Sequence, residues 1–175
     1  MPPRVVLVGL PGAGKSSVGA ELARRLGVAF ADSDELIAQQ TGRSVGEIFS
    51  HQGEPAFRQL EADMIAEALA GFDGVLALGG GAVTTESVRQ DLLGSGVLVV
   101  RLSAPQDELL SRLAGAEQRP LLAGPGDSAA ARLAELARAR EPLYQEVASL
   151  TVPTGGRSPV EVAAGLAARL IRQPS

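Results

Sequence analysis

Gly9-Leu10-Pro11-Gly12-Ala13-Gly14-Lys15-Ser16 decides the fold of this chain. The run satisfies G-x-x-x-x-G-K-S in full, and its flanks give the motif its meaning. Residues 4–9 read as a short apolar strand closed by glycine. Residues 15–26 read as a helix with Val18, Leu22 and Leu26 at helical spacing. A glycine-rich link between a buried strand and a helix lets backbone N–H groups converge on phosphate oxygens, and the helix N-terminus adds a favourable dipole. Lys15 is then placed to reach the β and γ phosphates of a nucleotide, and Ser16 to ligate Mg²⁺. A plain strand-to-helix turn with a surface lysine would account for the glycines. It would not account for strand, loop, Lys-Ser pair and helix in that order.

Outward from this run, strand and helix patterns alternate. Further strands are expected at 28–32, 75–78, 97–102 and 150–152, and further helices at 35–40, 54–70, 85–93, 105–113 and 128–147. Ser44 and Glu47 form a capping box for a short helix through Phe49, and Ser103 is the expected cap of the 105–113 helix. Ser158-Pro159-Val160-Glu161 opens the last helix with a cap, a proline at the first helical position and a capping-box glutamate. Residues 115–127, GAEQRPLLAGPGD, are rich in glycine and proline and break the pattern. Apolar strands alternating with helices predict a parallel sheet covered on both faces, with ligands beyond the carboxyl ends of its strands.

The 175 residues suit one domain with a sizeable core. There is no Trp and a single Tyr, Tyr144, so Leu, Val, Ile and Ala must build that core. The absence of Cys excludes a disulfide framework and a thiolate metal site, and fits a reducing cytosol. A net charge of −4 with no Lys/Arg block argues against nucleic acid or an anionic membrane as partner. No apolar run is long enough to span a membrane or to form a signal peptide, so a cytoplasmic location is expected.

The residues that follow strands carry the chemistry. If the backbone stays extended past the second strand, Asp32 and Asp34 point the same way. One would then hold the Mg²⁺ hydration shell and the other grip a substrate hydroxyl. Alternatively Asp34 merely caps the next helix. The third strand supplies no acid after Leu78, which directs the metal's second carboxylate to Asp32. Gly79, Gly80 and Gly81 mark either close approach by a ligand or a loose turn. Arg58 and Glu61, one turn apart, read as an exposed ion pair or as a guanidinium aimed at a carboxylate and oriented by Glu61. Arg140 is equally open in a helix that also holds Arg132 and Arg138. Arg119, in the Gly/Pro-rich stretch, has the setting of a lid that excludes water and adds positive charge to phosphoryl transfer. His51, the only histidine, reads as a surface helix-end residue.

Together these segments resemble the shikimate kinase family along nearly the whole chain: GLPGAGKSS, ADSDELI, GEPAFRQLE, VLALGGGAV, RPLL and AREPLY, in that order. The resemblance implies a P-loop NTPase three-layer α/β/α sandwich with a five-stranded parallel sheet, as one domain over 1–175. Its core would be 1–32, 71–111 and 128–175, with a substrate-binding segment at 33–70 and a mobile lid at about 112–127. It implies transfer of the ATP γ-phosphoryl group to the 3-hydroxyl of shikimate, with Mg²⁺, by a monomer. Lys15, Asp34 and Arg119 would be catalytic. Gly12, Ala13, Gly14, Lys15, Ser16, Ser17, Arg112, Arg119 and Arg157 would bind ATP. Asp34, Phe49, Phe57, Arg58, Glu61, Gly79, Gly80, Gly81 and Arg140 would bind shikimate, and Ser16 with Asp32 would hold the metal. Ser17 and Gly155-Gly156-Arg157 depart from residues common in the family. Two other readings stay open: a related kinase acting on another polyol acid such as gluconate, and a nucleotide-binding protein without catalysis.

Overall fold

A computed structural model of the chain describes residues 1–114 and 128–172. Five strands, β1 (Val5–Val8), β2 (Ala29–Asp32), β3 (Gly74–Ala77), β4 (Leu98–Ser103) and β5 (Leu150–Pro153), form one parallel sheet in the order β2-β3-β1-β4-β5. All four residues of β1 are buried, which is why its sequence is apolar without alternation. The helices are α1 (Lys15–Leu26), α2 (Ser33–Thr41), α3 (Val45–Gly71), α4 (Glu86–Ser95), α5 (Gln106–Ala114), α6 (Ala129–Val147) and α7 (Pro159–Ile171).

The step from β1 to β2 crosses the sheet in one direction, and the later steps cross it in the other. Right-handed connections therefore put α1 on one face and α3, α4 and α6 on the opposite face, and α7 returns to pack against α1. This is the expected three-layer α/β/α sandwich. The order reverses at β1, so the crevice beyond its carboxyl end is where such a sheet takes a ligand. A second, smaller core lies apart from the main one. Ile37, Ile48 and Phe57 are buried together, with Val45, Phe49, Leu60 and Met64 packed against them. It ties α2 to both halves of α3.

Two local expectations are corrected. The short helix through Phe49 runs on into α3 and is broken only at Gly53, whose φ of 82° lies in the left-handed region that glycine tolerates. Ser103 does not cap α5. It remains in β4, where its carbonyl accepts from Thr154 N–H at 2.7 Å, and the first turn of α5 closes instead on Pro105 O. A 3₁₀ turn at Ala82–Thr84, unforeseen in the sequence, follows the glycines after β3. Both predicted capping boxes, Ser44 with Glu47 and Ser158 with Glu161, are formed.

Candidate active site

The link from β1 to α1 turns through Gly12 and Gly14, at φ 84° and 96°, conformations that side chains resist. Gly14 is the N-cap of α1 and provides no side-chain cap, so the first N–H groups of the helix are left for a ligand. They border a cleft of about 430 Å³ lined by Gly12 to Ser17, Asp32, Asp34, Gly79 and Gly80, and by Arg112, Thr154 and Arg157 at its other end. Lys15 Nζ donates to Gly9 O at 2.7 Å and Leu10 O at 3.0 Å, so its ammonium is held over its own loop. Burial lowers its pKa to about 8, with Asp32 and Asp34 pulling the other way.

The extended backbone expected beyond β2 does not occur. α2 begins at Ser33, and Asp32, not Asp34, is its N-cap, with Oδ1 accepting from Asp34 N–H at 2.9 Å. The side chain thereby satisfies an otherwise orphaned helix donor, which favours helix over strand at this point. Both carboxylates nevertheless line the cleft, because the end of β2 and the first turn of α2 both lie beyond the carboxyl edge of the sheet. Asp32 Oδ2 also accepts from the Ser16 hydroxyl at 2.7 Å. A hydroxyl and a carboxylate oxygen so placed suit Mg²⁺, a hard cation that takes few protein ligands and completes its shell with water and phosphate. Among the described residues no group of three or more His, Cys, Asp or Glu stands together in a way that could hold a metal. Burial raises the pKa of Asp34, and Asp32 adds to the rise, against Lys15 and Arg58.

Gly79, Gly80 and Gly81 are not a loose turn. Gly79 N–H donates to Ser33 Oγ at 2.9 Å, and Gly80 O accepts from the Tyr144 hydroxyl at 2.5 Å. The close approach is made by the protein's own charged side chains. A Cβ on Gly79 would stand 2.7 Å from Asp34 Oδ1 and 3.0 Å from Glu61 Oε1, and one on Gly80 3.4 Å from Arg140 Nη1. One on Gly81 would overlap the Arg58 guanidinium. Arg58 Nη1 donates to Glu61 Oε2 at 2.6 Å. With Glu61 only 1 % exposed, this is no surface ion pair. The guanidinium also stands 5.8 and 5.2 Å from the ring centres of Phe49 and Phe57. Burial raises the pKa of Glu61 against the pull of Arg58, and Glu61 Oε1 has no hydrogen-bond partner among the described residues. Arg140 is buried and, among the described residues, forms no ion pair. A buried guanidinium without a carboxylate is costly, so this one suits an anionic ligand.

The structure thus gathers the predicted residues in two groups. The phosphate loop, Asp32, Asp34, Gly79, Gly80, Arg112 and Arg157 line the cleft. Phe49, Phe57, Arg58, Glu61, Gly81 and Arg140 are not among its lining, but adjoin it through Asp34 and the glycines. Arg112 is also bound to the protein itself, donating to Gly12 O at 3.1 Å, Thr154 O at 3.1 Å and Glu108 Oε2 at 3.0 Å. Arg157 donates to Pro153 O and Glu161 O. Residues 115–127, and with them Arg119, lie outside the described residues. His51 is exposed, as read. Sequence reasoning missed Ser33, Glu108, Tyr144 and Thr154. Only Tyr144 carried a signal, as the lone tyrosine one turn beyond Arg140.

Comparison with known proteins supplies the context for this geometry. A family model described as shikimate kinase matches residues 11–171. A shikimate kinase of Mycobacterium bovis is 48 % identical over 170 residues, covering 97 % of this chain and 94 % of its own. A solved shikimate kinase of Acinetobacter baumannii, in complex with shikimate, superposes with a TM-score of 0.89 at 36 % identity, over 98 % of this chain and 93 % of that one. The shikimate kinase of Bacteroides thetaiotaomicron gives a TM-score of 0.85 at 28 % identity, over 99 % of this chain and 100 % of that one.

Proposed function

The chain belongs to the shikimate kinase family, and from that premise we propose how its residues carry the reaction. The activity is ATP-dependent phosphorylation of shikimate. The acceptor is the 3-hydroxyl, and the observation that carries the site assignment is a buried Arg140 without an ion pair among the described residues, close to Gly80 and beside the Arg58–Glu61 pair. Two guanidinium groups there suit the shikimate carboxylate, and Phe49 and Phe57 the apolar side of the ring. Asp34, across Gly79, accepts a hydrogen bond from the attacking hydroxyl, and its raised pKa suits it to take the proton as the oxygen bonds to the γ-phosphorus and ADP leaves.

Lys15 and the N–H groups of the phosphate loop bear on the β and γ phosphates, where charge changes during transfer. Ser16 and Asp32 hold Mg²⁺, which when bound with ATP neutralises phosphate charge. Arg119, outside the described residues, brings a further positive charge to the phosphates, and Arg112 and Arg157 border the adenine. The segment 33–70, with its own small core, binds the acceptor. The working unit is a cytoplasmic monomer of one domain. No helix among the described residues is long and apolar enough to cross a membrane.

An ADP-release assay with shikimate, with and without Mg²⁺, followed by NMR of the product, tests this reading. The expected result is Mg²⁺-dependent ADP release and a phosphate coupled to the proton at carbon 3. Phosphate at another carbon would overturn the placement of the ring, and Mg²⁺-independent turnover the roles of Ser16 and Asp32.

A further inference from the structure

Tyr144 is buried, with 1 % of its surface exposed, and its hydroxyl donates to Gly80 O at 2.5 Å across 64 positions of sequence. Arg140 lies one helical turn earlier on α6, and its Nη1 faces the same glycine. Behind them Arg101, on β4, pairs with Glu141. The Tyr144 hydroxyl is pushed up to about 12, chiefly by burial and against Arg140, Arg101 and Arg58. It therefore remains a donor throughout the pH range of an ordinary assay.

What it holds matters more than the bond. Asp34 packs against Gly79, Arg140 against Gly80 and Arg58 against Gly81. The backbone at 79–81 is thus a wall that meets three charged side chains of the acceptor site at once. Glycine has wide conformational freedom, so such a wall stays in place only if its polar groups are tied. Ser33 ties the Gly79 N–H, and Thr84 ties the Gly81 carbonyl with a 2.6 Å bond. The middle carbonyl is tied by Tyr144, from the helix that also carries Arg140.

We propose that Tyr144 is a positioning residue for the acceptor: through Gly80 O it locks the glycine wall in register with Arg140, so that the carboxylate and the attacking hydroxyl of one substrate are met together. Tyr144 touches no substrate and exchanges no proton. This rests on the acceptor-site reading above.

The test is Y144F, which removes the hydroxyl and keeps the ring, compared with L133V, which trims a buried side chain about three turns earlier on the same helix. In steady-state kinetics Y144F is expected to raise KM for shikimate five- to tenfold, about 1 to 1.4 kcal/mol. KM for ATP should stay within about twofold, because the phosphate loop keeps its own bonds. L133V should lower the thermal midpoint and leave both KM values unchanged. An unchanged shikimate KM in Y144F overturns the proposal, as does a parallel rise in the ATP KM or an equal rise in L133V. If the unaltered enzyme fails to use shikimate, the acceptor reading falls and this proposal with it. If it is active and Y144F does not differ, only the role of Tyr144 falls.

Discussion

The Ser16 hydroxyl donates to Asp32 Oδ2 at 2.7 Å, while the other oxygen of the same carboxylate caps α2 through Asp34 N–H. One side chain therefore joins the phosphate loop to the helix that carries Asp34. Its two duties can be separated. Asp32→Asn keeps an oxygen for the cap and removes the charge, so the Mg²⁺ concentration for half-maximal rate should rise by roughly tenfold or more, with little loss of stability. Asp32→Ala should show the same metal defect and lose about 1 kcal/mol of stability as well. Mg²⁺ titration of the initial rate, with thermal melts of both variants, checks this. An unaltered Mg²⁺ requirement in Asp32→Asn would remove the metal role.

Lys15 sets a pH dependence. Burial lowers its pKa to about 8, so in the free enzyme it loses its charge as pH rises through that value. Bound phosphates favour the charged form, so kcat/KM for ATP should fall above a limb near pH 8, and the limb in kcat should lie higher. The stability effect has the opposite sign. Between about pH 8 and 10.5 the unfolded chain holds the proton that the folded chain has lost, so this group's contribution to stability improves as pH rises. Lys15→Met should lower kcat by roughly 10² to 10³. A kcat/KM profile for ATP that stays flat to pH 9.5 would contradict the assignment.

Gly79 tests the packing of the acceptor wall. Gly79→Ala brings a methyl group to 2.7 Å from Asp34 Oδ1, so Asp34 must shift. A displacement of this kind costs roughly 10²-fold in kcat when the reacting group moves by an ångström. Gly94→Ala, on α4, meets nothing within 4 Å and should leave activity intact while stabilising the fold by about 0.5 to 1 kcal/mol. Steady-state kinetics and melting of the pair decide the matter. Full activity in Gly79→Ala would show that Asp34 tolerates movement.

At the other end of the cleft, Glu108 accepts from Gly156 N–H at 2.6 Å and from Arg112 Nη2 at 3.0 Å. It therefore braces both the turn after β5 and the arginine proposed to border adenine. Glu108→Ala removes two charge-assisted bonds in a partly exposed setting, each worth about 1.5 kcal/mol or less after solvent screening. KM for ATP should rise roughly five- to tenfold. KM for shikimate should not move, and a defect confined to shikimate would refute this division of the site.

How much of this was legible in the residues differs from place to place. The buried strand Val5–Val8, the loop behind it and the helix from Lys15 follow from local rules: apolar continuity, glycine conformations and helical spacing. The two capping boxes are equally local. Ser103 misled because a cap and a strand end look alike in sequence, and its bond to Thr154 comes from 51 positions away. Asp32 and Asp34 were legible as a pair, but which of them caps α2 turned on where that helix begins.

The loop Gly9 to Ser16 alone determined that a buried strand passes through a glycine-rich link into a helix, the arrangement proposed to cradle phosphate, because every interaction needed lies within a dozen residues. The register of the proposed acceptor site against it was decided only by the tertiary structure. Arg58 comes from α3, Arg140 and Tyr144 from α6 and the glycine wall from the end of β3, and none of their spacings along the chain encodes a distance in space. They meet because β3 lies beside β1 in the sheet, and burying its apolar faces brings α3 and α6 to one side of it.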